Sequence, residues 1–226
     1  MSRNRKILLS VLVLLALIGG GWAIYDFNKA PALPNVAGGA IDPALVRPED
    51  HIAGNPNAKV IVVEYGSPAC TTCALWNAQV LPALKQKYID TGKILYVYRV
   101  FLLGFPLEAD VARMAMCLPK EQFLPFLDYM YRNQPEWDIG EYRNIVDPEL
   151  GLTRLARVAG FTPERLTQCR APSPAIDDEI NAVAQAGQAA YNITGTPTIV
   201  VNGRKIDGVP GVADMEAAID AALAGK

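Results

Sequence analysis

The alternation of apolar and polar positions divides the chain into five stretches. Ile7 to Ile24 is an unbroken apolar run whose one hydroxyl is Ser10. As a helix it would extend about 27 Å, close to the hydrocarbon thickness of a bilayer. Lys29 to Asp50 has no period and carries Pro31, Pro34, Pro43 and Pro48 among Ala and Gly, which reads as an extended tether. From Lys59 the pattern is strand-like. The β-branched run Val60-Ile-Val-Val63 predicts a buried strand over 59–65, and Ile94 to Val100 predicts a second. Between them, Ala74 to Tyr88 has a helical pattern that Pro82 should kink or split and Thr91-Gly92 should end. Strand, helix, strand in this order favours a right-handed crossover and a parallel pair.

Helical periods then take over. Leu107 to Leu118, Lys120 to Asn133, Pro148 to Ala159, Pro163 to Cys169 and Pro174 to Tyr191 each read as helices, and no strand-like run lies among them. Thr198 to Val201 predicts a third strand. Asn202-Gly203 is a hairpin turn, Lys205 to Val209 a return strand, and Asp214 the cap of a last helix over Met215 to Leu223. The expected architecture is an α/β fold of β-α-β and β-β-α parts split by a helical insertion. Its segments are 1–28, 29–50, 51–105, 106–190 and 191–226.

Charge adds an orientation. Arg3, Arg5 and Lys6 precede the apolar run, and the first acidic residue is Asp26. The positive-inside rule keeps the N-terminus in the cytoplasm and exports the rest. An uncleaved single-pass anchor over residues 7–24 fits the full run and the flanking Trp22 and Tyr25. A cleaved signal peptide is the alternative, with Ala30-Pro31-Ala32 or Gly38-Gly39-Ala40 as weak cleavage sites. Lys+Arg 21 against Asp+Glu 23 gives no basic excess, which argues against nucleic-acid binding.

The reactive inventory is four Cys and a single His, His51, the one imidazole that could serve them. Cys70-Thr71-Thr72-Cys73 follows a strand and opens a helix, the placement of a redox dithiol. Orphan N–H groups and the positive end of the helix macrodipole favour a thiolate on Cys70. Cys70 is expected to be an exposed nucleophile, and Cys73, one turn inward, a partly buried resolving thiol. Half of a zinc site and a purely structural bridge are the competing readings; for zinc, the remaining Cys and His are distant and unpaired in sequence. No metal and no cofactor is expected. Cys117 and Cys169 lie singly on separate helical patterns. In an oxidising compartment they favour a structural disulfide, stabilising by roughly 4 kcal/mol. A second relay pair and two buried free thiols remain open. Pro197, ahead of a strand, is compatible with a strand start alone.

Taken together, these segments resemble the DsbA-like branch of the thioredoxin superfamily from about Asp50 to Leu223. The carrying motifs are Asp50-His51 with Gly54-Asn55-Pro56, Val62-Val63-Glu64-Tyr65, the C-x-x-C, the helical insertion, and Thr194-Gly-Thr-Pro-Thr198 before Asn202-Gly203. The resemblance implies a thiol:disulfide oxidoreductase of the bacterial inner membrane with its catalytic domain in the periplasm. Pro197 would be a cis-proline beside the dithiol. Thr196 would face the site and pair with a substrate chain in strand fashion. Glu64 would be a buried carboxylate that moves protons for the second Cys. The implied partners are exported protein substrates and a DsbB-like membrane quinone reductase, and the absence of room for a dimerisation domain in the tether implies a monomer.

One departure has chemical weight. Strongly oxidising members carry Pro-His between the cysteines, and this chain carries Thr71-Thr72. Without the imidazole, the Cys70 pKa is expected below about 8.5 but well above the value near 3.5 of the strongest oxidants. An oxidase is the leading reading. A reductase or isomerase, and a non-catalytic envelope chaperone on the same scaffold, are the alternatives. A peroxidase or glutathione-transferase-like enzyme is disfavoured, since no glutathione-binding residues are recognisable.

Overall fold

A computed structural model describes residues 46–225. The expected anchor, most of the tether and the cleavage candidates lie outside them. Among the described residues, no helix is long and apolar enough to cross a membrane.

The run from Val60 forms the strand β2, Val60–Gly66, and every one of its residues is buried. Alternation sends Val60, Val62 and Glu64 to one face of the sheet, and Ile61, Val63 and Tyr65 to the other. Burial on both faces explains the continuous apolar run. Each fully buried Val or Ile contributes about 1.5–3 kcal/mol of transfer free energy. The strand β3, Ile94–Val100, pairs with β2 in parallel, as predicted. The strand β4, Thr198–Val201, lies antiparallel on the other side of β2.

Two short edge strands complete the sheet. β1, His51–Gly54, pairs antiparallel with β3, and β5, Arg204–Lys205, pairs antiparallel with β4, giving the order β1-β3-β2-β4-β5. β1 was not predicted. It is four residues long and borrows its pairing from β3. The predicted return strand over Lys205–Val209 shrinks to two residues, because Gly208 takes φ +69° and Pro210 has no N–H to give a ladder.

The helical pattern after the dithiol divides near Pro82, as expected. α1 is Thr71–Gln79, α2 is Leu81–Leu84, and a π-turn over Lys85–Ile89 leads out of it. The insertion comprises α3 Glu108–Met116, α4 Lys120–Arg132, α5 Gln134–Trp137, α6 Pro148–Val158 and α7 Pro163–Arg170. α8, Pro174–Tyr191, runs back to the sheet, and α9, Val212–Leu223, ends the fold. Asp214 is not the cap of α9. It lies three positions inside, and its carboxylate accepts the Gly211 N–H at 3.1 Å.

These elements make two cores. α1, α9 and the insertion bury Val60, Val62, Tyr96, Tyr98, Ile199 and their neighbours on one face of the sheet. α8 covers the other face, where Val183 packs with Ile61, Val63, Tyr65 and Val97. Gly187 allows that approach, since a Cβ there would stand 2.7 Å from the Tyr65 ring. One charge pair is buried beside this second core. The Arg99 guanidinium donates to both Asp50 carboxylate oxygens at 2.9 and 2.8 Å and to the Tyr65 hydroxyl at 2.9 Å. It fastens Asp50, the residue ahead of β1, to β3.

Candidate active site

The C-terminal end of β2 delivers the chain through Gly66-Ser67-Pro68-Ala69 to the first turn of α1. Cys70 is the N-cap of that helix. It has extended backbone angles (φ −87°, ψ 112°), and its Sγ accepts the Cys73 N–H at 3.0 Å. The sulfur therefore occupies the position in which Ser or Asp oxygens satisfy orphan helix donors. Cys73 lies one turn inward and has no exposure. Both thiols are free. The expectation of an exposed Cys70 is corrected: its exposure is 5%. The loop before β4 covers it, and the Cys70 thiol donates to the Thr196 carbonyl at 3.3 Å.

That loop carries a cis peptide between Thr196 and Pro197. Pro197 is buried and Thr196 half-buried. The Thr198 hydroxyl donates to the Gly195 carbonyl at 2.7 Å and braces the bend. The Thr196 hydroxyl oxygen is buried without a partner, beside thiols it can stabilise once they ionise.

Three environments set the proton affinities. The Cys70 thiol is lowered from 9.0 to about 7. The hydrogen bond with Cys73 is the largest cause, and the Thr196 side chain and the N–H groups of Cys73 and Thr72 add to it against the effect of burial. Cys73 is raised well above its ordinary value by burial, by its hydrogen bond with Cys70, and by the charges of Cys70 and Glu64. The Glu64 carboxyl, on the same sheet face as Val62, is raised from 4.5 to about 8, by burial first. Tyr96 donates its hydroxyl proton to Glu64 Oε2 at 2.5 Å, while Oε1 is buried without a partner. At neutral pH the pair is therefore poised as a stabilised Cys70 and a protonated Glu64 in electrostatic contact with Cys73.

Thr71 is half-buried and Thr72 exposed, and neither hydroxyl bonds a sulfur. The dipeptide acts through the Thr72 backbone N–H. His51 does not serve the cysteines. It is buried with its ring stacked 3.4 Å from that of Phe123, and burial and Lys120 lower its pKa from 6.5 to about 4. Cys117, at the end of α3, and Cys169, in α7, form a disulfide with Cα atoms 5.7 Å apart. Among the described residues, no group of three or more His, Cys, Asp or Glu is placed to hold a metal ion.

The sequence did not point to three further supports. Gln134 Nε2 donates to the carbonyls of Pro68 and Cys70 at 2.8 and 3.2 Å. Trp76 Nε1 donates to the Pro210 carbonyl at 3.0 Å, tying α1 to the loop ahead of α9. Ser67 Oγ donates to the Glu108 carboxylate, which also accepts the N–H groups of Leu103, Gly104 and Phe105. Each joins residues far apart in the chain, and no local pattern signals such a pairing.

A C-x-x-C capping a helix between parallel strands, closed over by a cis-proline loop, defines a thioredoxin-fold dithiol protein with a helical insertion. The chain belongs to the thioredoxin family: the family model Thioredoxin_4, described as thioredoxin, matches residues 47–221. Among solved structures, it is similar to Wolbachia pipientis alpha-DsbA1, with 26% identity and a TM-score of 0.70 over 80% of this chain and 94% of that one. Bacillus subtilis BdbD shares the fold at 23% identity and a TM-score of 0.66, over 78% and 94% of the two chains. A Rickettsia bellii protein, provisionally named a protein-disulfide oxidoreductase, is 34% identical over 77% of this chain and 64% of its own length. The chain thus spans somewhat less than two thirds of the curated relatives it matches most strongly.

Proposed function

We propose that the protein is a thiol:disulfide oxidoreductase that exchanges disulfides with exported proteins through Cys70 and Cys73. The observation that carries this reading is the Cys70 sulfur acting as helix N-cap, with its pKa lowered to about 7 while that of Cys73 is raised. A structural pair has no need of such asymmetry. An attacking or leaving thiol does.

In the oxidising direction, a substrate thiolate attacks Sγ of Cys70 in the Cys70–Cys73 disulfide. The S–S bond breaks and Cys73 leaves with the electron pair. Protonated Glu64 is the nearby acid that supplies its proton, directly or through water. A second substrate thiolate then attacks the substrate sulfur of the mixed disulfide, and Cys70 leaves as a thiolate stabilised at the helix N-terminus. Two electrons have passed from substrate to protein. In either state Cys70 has no proton to donate, so the Thr196 carbonyl is released to accept an N–H from the substrate backbone, in the manner of an added strand. A DsbB-like quinone-linked membrane protein would reoxidise the dithiol, with this protein held at the inner membrane by residues 7–24 and its folded part, a monomer, in the periplasm.

A second reading has a specific observation in its favour. A Cys70 pKa of about 7 matches the value of about 7 typical of thioredoxin rather than the value near 3.5 of the strongest oxidant. A weakly oxidising or reducing couple follows if the thiolate is stabilised no further. Oxidation of a reduced unfolded substrate and reduction of insulin, each with wild type and Cys70→Ser, test both readings. Activity in either assay that Cys70→Ser abolishes supports the enzyme. A Cys70→Ser variant equal to wild type refutes it.

A further inference from the structure

We propose that Gln134, on the inserted helical region, is a positioning residue for the dithiol: its amide holds the first turn of α1 in the geometry that the Cys70 sulfur requires. The inference rests on the dithiol reading above and adds a residue that neither the C-x-x-C nor the cis-proline loop contains.

Gln134 opens the one-turn helix α5 and has no exposure. Its Nε2 has two acceptors, the carbonyls of Pro68 and Cys70, on either side of Ala69. Facing two carbonyl oxygens, only the NH2 end of the amide fits, so the side-chain orientation follows from its surroundings. Oε1, at the other end, is buried without a partner. A polar side chain that spends both donors here and leaves its acceptor unpaired is a costly choice for filling space, since an apolar residue of similar volume would avoid that orphan.

The Cys70 carbonyl is also the acceptor of the Ala74 N–H at 3.0 Å, the first helical bond of α1. Gln134 therefore grips the peptide that starts the helix. The N–H groups of Thr72 and Cys73, which point at the Cys70 sulfur, belong to that same turn. Their aim depends on how the turn is tilted, and hydrogen bonds weaken steeply with misalignment. The support is itself anchored. Trp137, on the same short helix, has no exposure and donates Nε1–H to the Met130 carbonyl of α4 at 3.1 Å. On its other side α6 packs so closely that a Cβ on Gly151 would stand 1.9 Å from the Glu136 carbonyl oxygen. Through this amide the helical insertion holds the turn that carries the reactive sulfur.

The test uses reduced full-length protein carrying Gln134→Met, which keeps length and loses both donors, and Gln134→Asn, which keeps the amide but falls short by one methylene. Thiolate absorbance against pH reads the Cys70 pKa without requiring turnover. Equilibration with glutathione, in which protein disulfide and two glutathione thiols exchange for protein dithiol and glutathione disulfide, reads the couple. Both variants are expected to raise the Cys70 pKa by about one unit and to shift the glutathione equilibrium about tenfold toward the disulfide, which is about 30 mV. Trp137→Phe, which removes a structural tether but neither Gln134 bond, is expected to lower the unfolding midpoint and leave the pKa in place. If folded Gln134→Met or Gln134→Asn keeps the wild-type pKa and equilibrium, or if Trp137→Phe shifts them as much, the proposal is overturned. Should Gln134→Met not fold, Gln134→Asn decides alone. An inert wild type in the exchange assays would sink the enzymatic reading and still leave the titration to judge Gln134.

Discussion

Cys70 and Cys73 sit three residues apart at the mouth of a helix, while Cys117 and Cys169 are 52 residues apart on two helices. The first pair is a dithiol with divergent proton affinities. The second is a closed bridge within the insertion. The environments account for the difference. At the N-terminus of α1 the thiolate of Cys70 has backbone donors, a neighbouring thiol and the Thr196 loop to stabilise it. Cys117 and Cys169 join the ends of α3 and α7, where the bond constrains the unfolded chain. Placement relative to a helix terminus, more than burial, separates a reactive sulfur from a structural one, since Cys70, Cys73 and Cys169 are all buried.

Substitutions can break this contrast, and the largest effect is expected at Cys70. Cys70→Ser should reduce disulfide exchange to background in both substrate oxidation and insulin reduction while leaving the unfolding midpoint of the protein close to wild type. Replacing Cys117 and Cys169 together by Ala should do the reverse. Denaturant unfolding should show a loss of about 2–5 kcal/mol, with the Cys70 titration still near 7. If removing the bridge moved that titration by a full unit, the two pairs would not be separate in function.

Glu64 sharpens the contrast through pH. Its carboxyl is raised from 4.5 to about 8, so the fold prefers it protonated. Stability linked to it is complete below pH 4.5 and is lost as pH rises toward 8. Glu64→Gln, neutral throughout and still able to accept from Tyr96, should gain about 2–4 kcal/mol on wild type at alkaline pH and nothing in acid. The same variant should slow exchange, because the acid that protonates Cys73 is gone. His51 should give the smallest effect, with the opposite sign. Its pKa is lowered from 6.5 to about 4, so the stability it carries is present above 6.5 and lost as pH falls through 4. His51→Phe, keeping the stack on Phe123, should shrink that acid loss by about 2–3 kcal/mol, measured by unfolding across the window, and leave exchange unchanged.

The two cysteine pairs also mark how far the sequence can be read. β2, β3 and β4 were legible because strands buried on both faces must be continuously apolar, and the C-x-x-C because its chemistry lies within one helical turn. The Thr196-Pro197 loop was legible only through resemblance, since proline before a strand is ordinary. β1 and α5 were not legible: four residues each carry too little period, and partners elsewhere hold them in place. The return strand β5 was legible from the Asn202-Gly203 turn, but its two-residue length was not. Gln134 and the Asp50–Arg99 pair were invisible for a related reason. Their meaning lies in contacts made across 64 and 49 positions of chain. His51 misled for the opposite reason, a chemically versatile side chain used as a flat ring.

The central claim is that helix donors and a neighbouring thiol, without an imidazole between the cysteines, stabilise the Cys70 thiolate to an intermediate degree. Thiolate absorbance of the reduced protein, titrated with pH and repeated on Cys70→Ser, measures it most directly. The account predicts a transition near 7 that Cys70→Ser removes. A transition below about 4, as in the strongest oxidants, or an unperturbed one near 8.5, would contradict it.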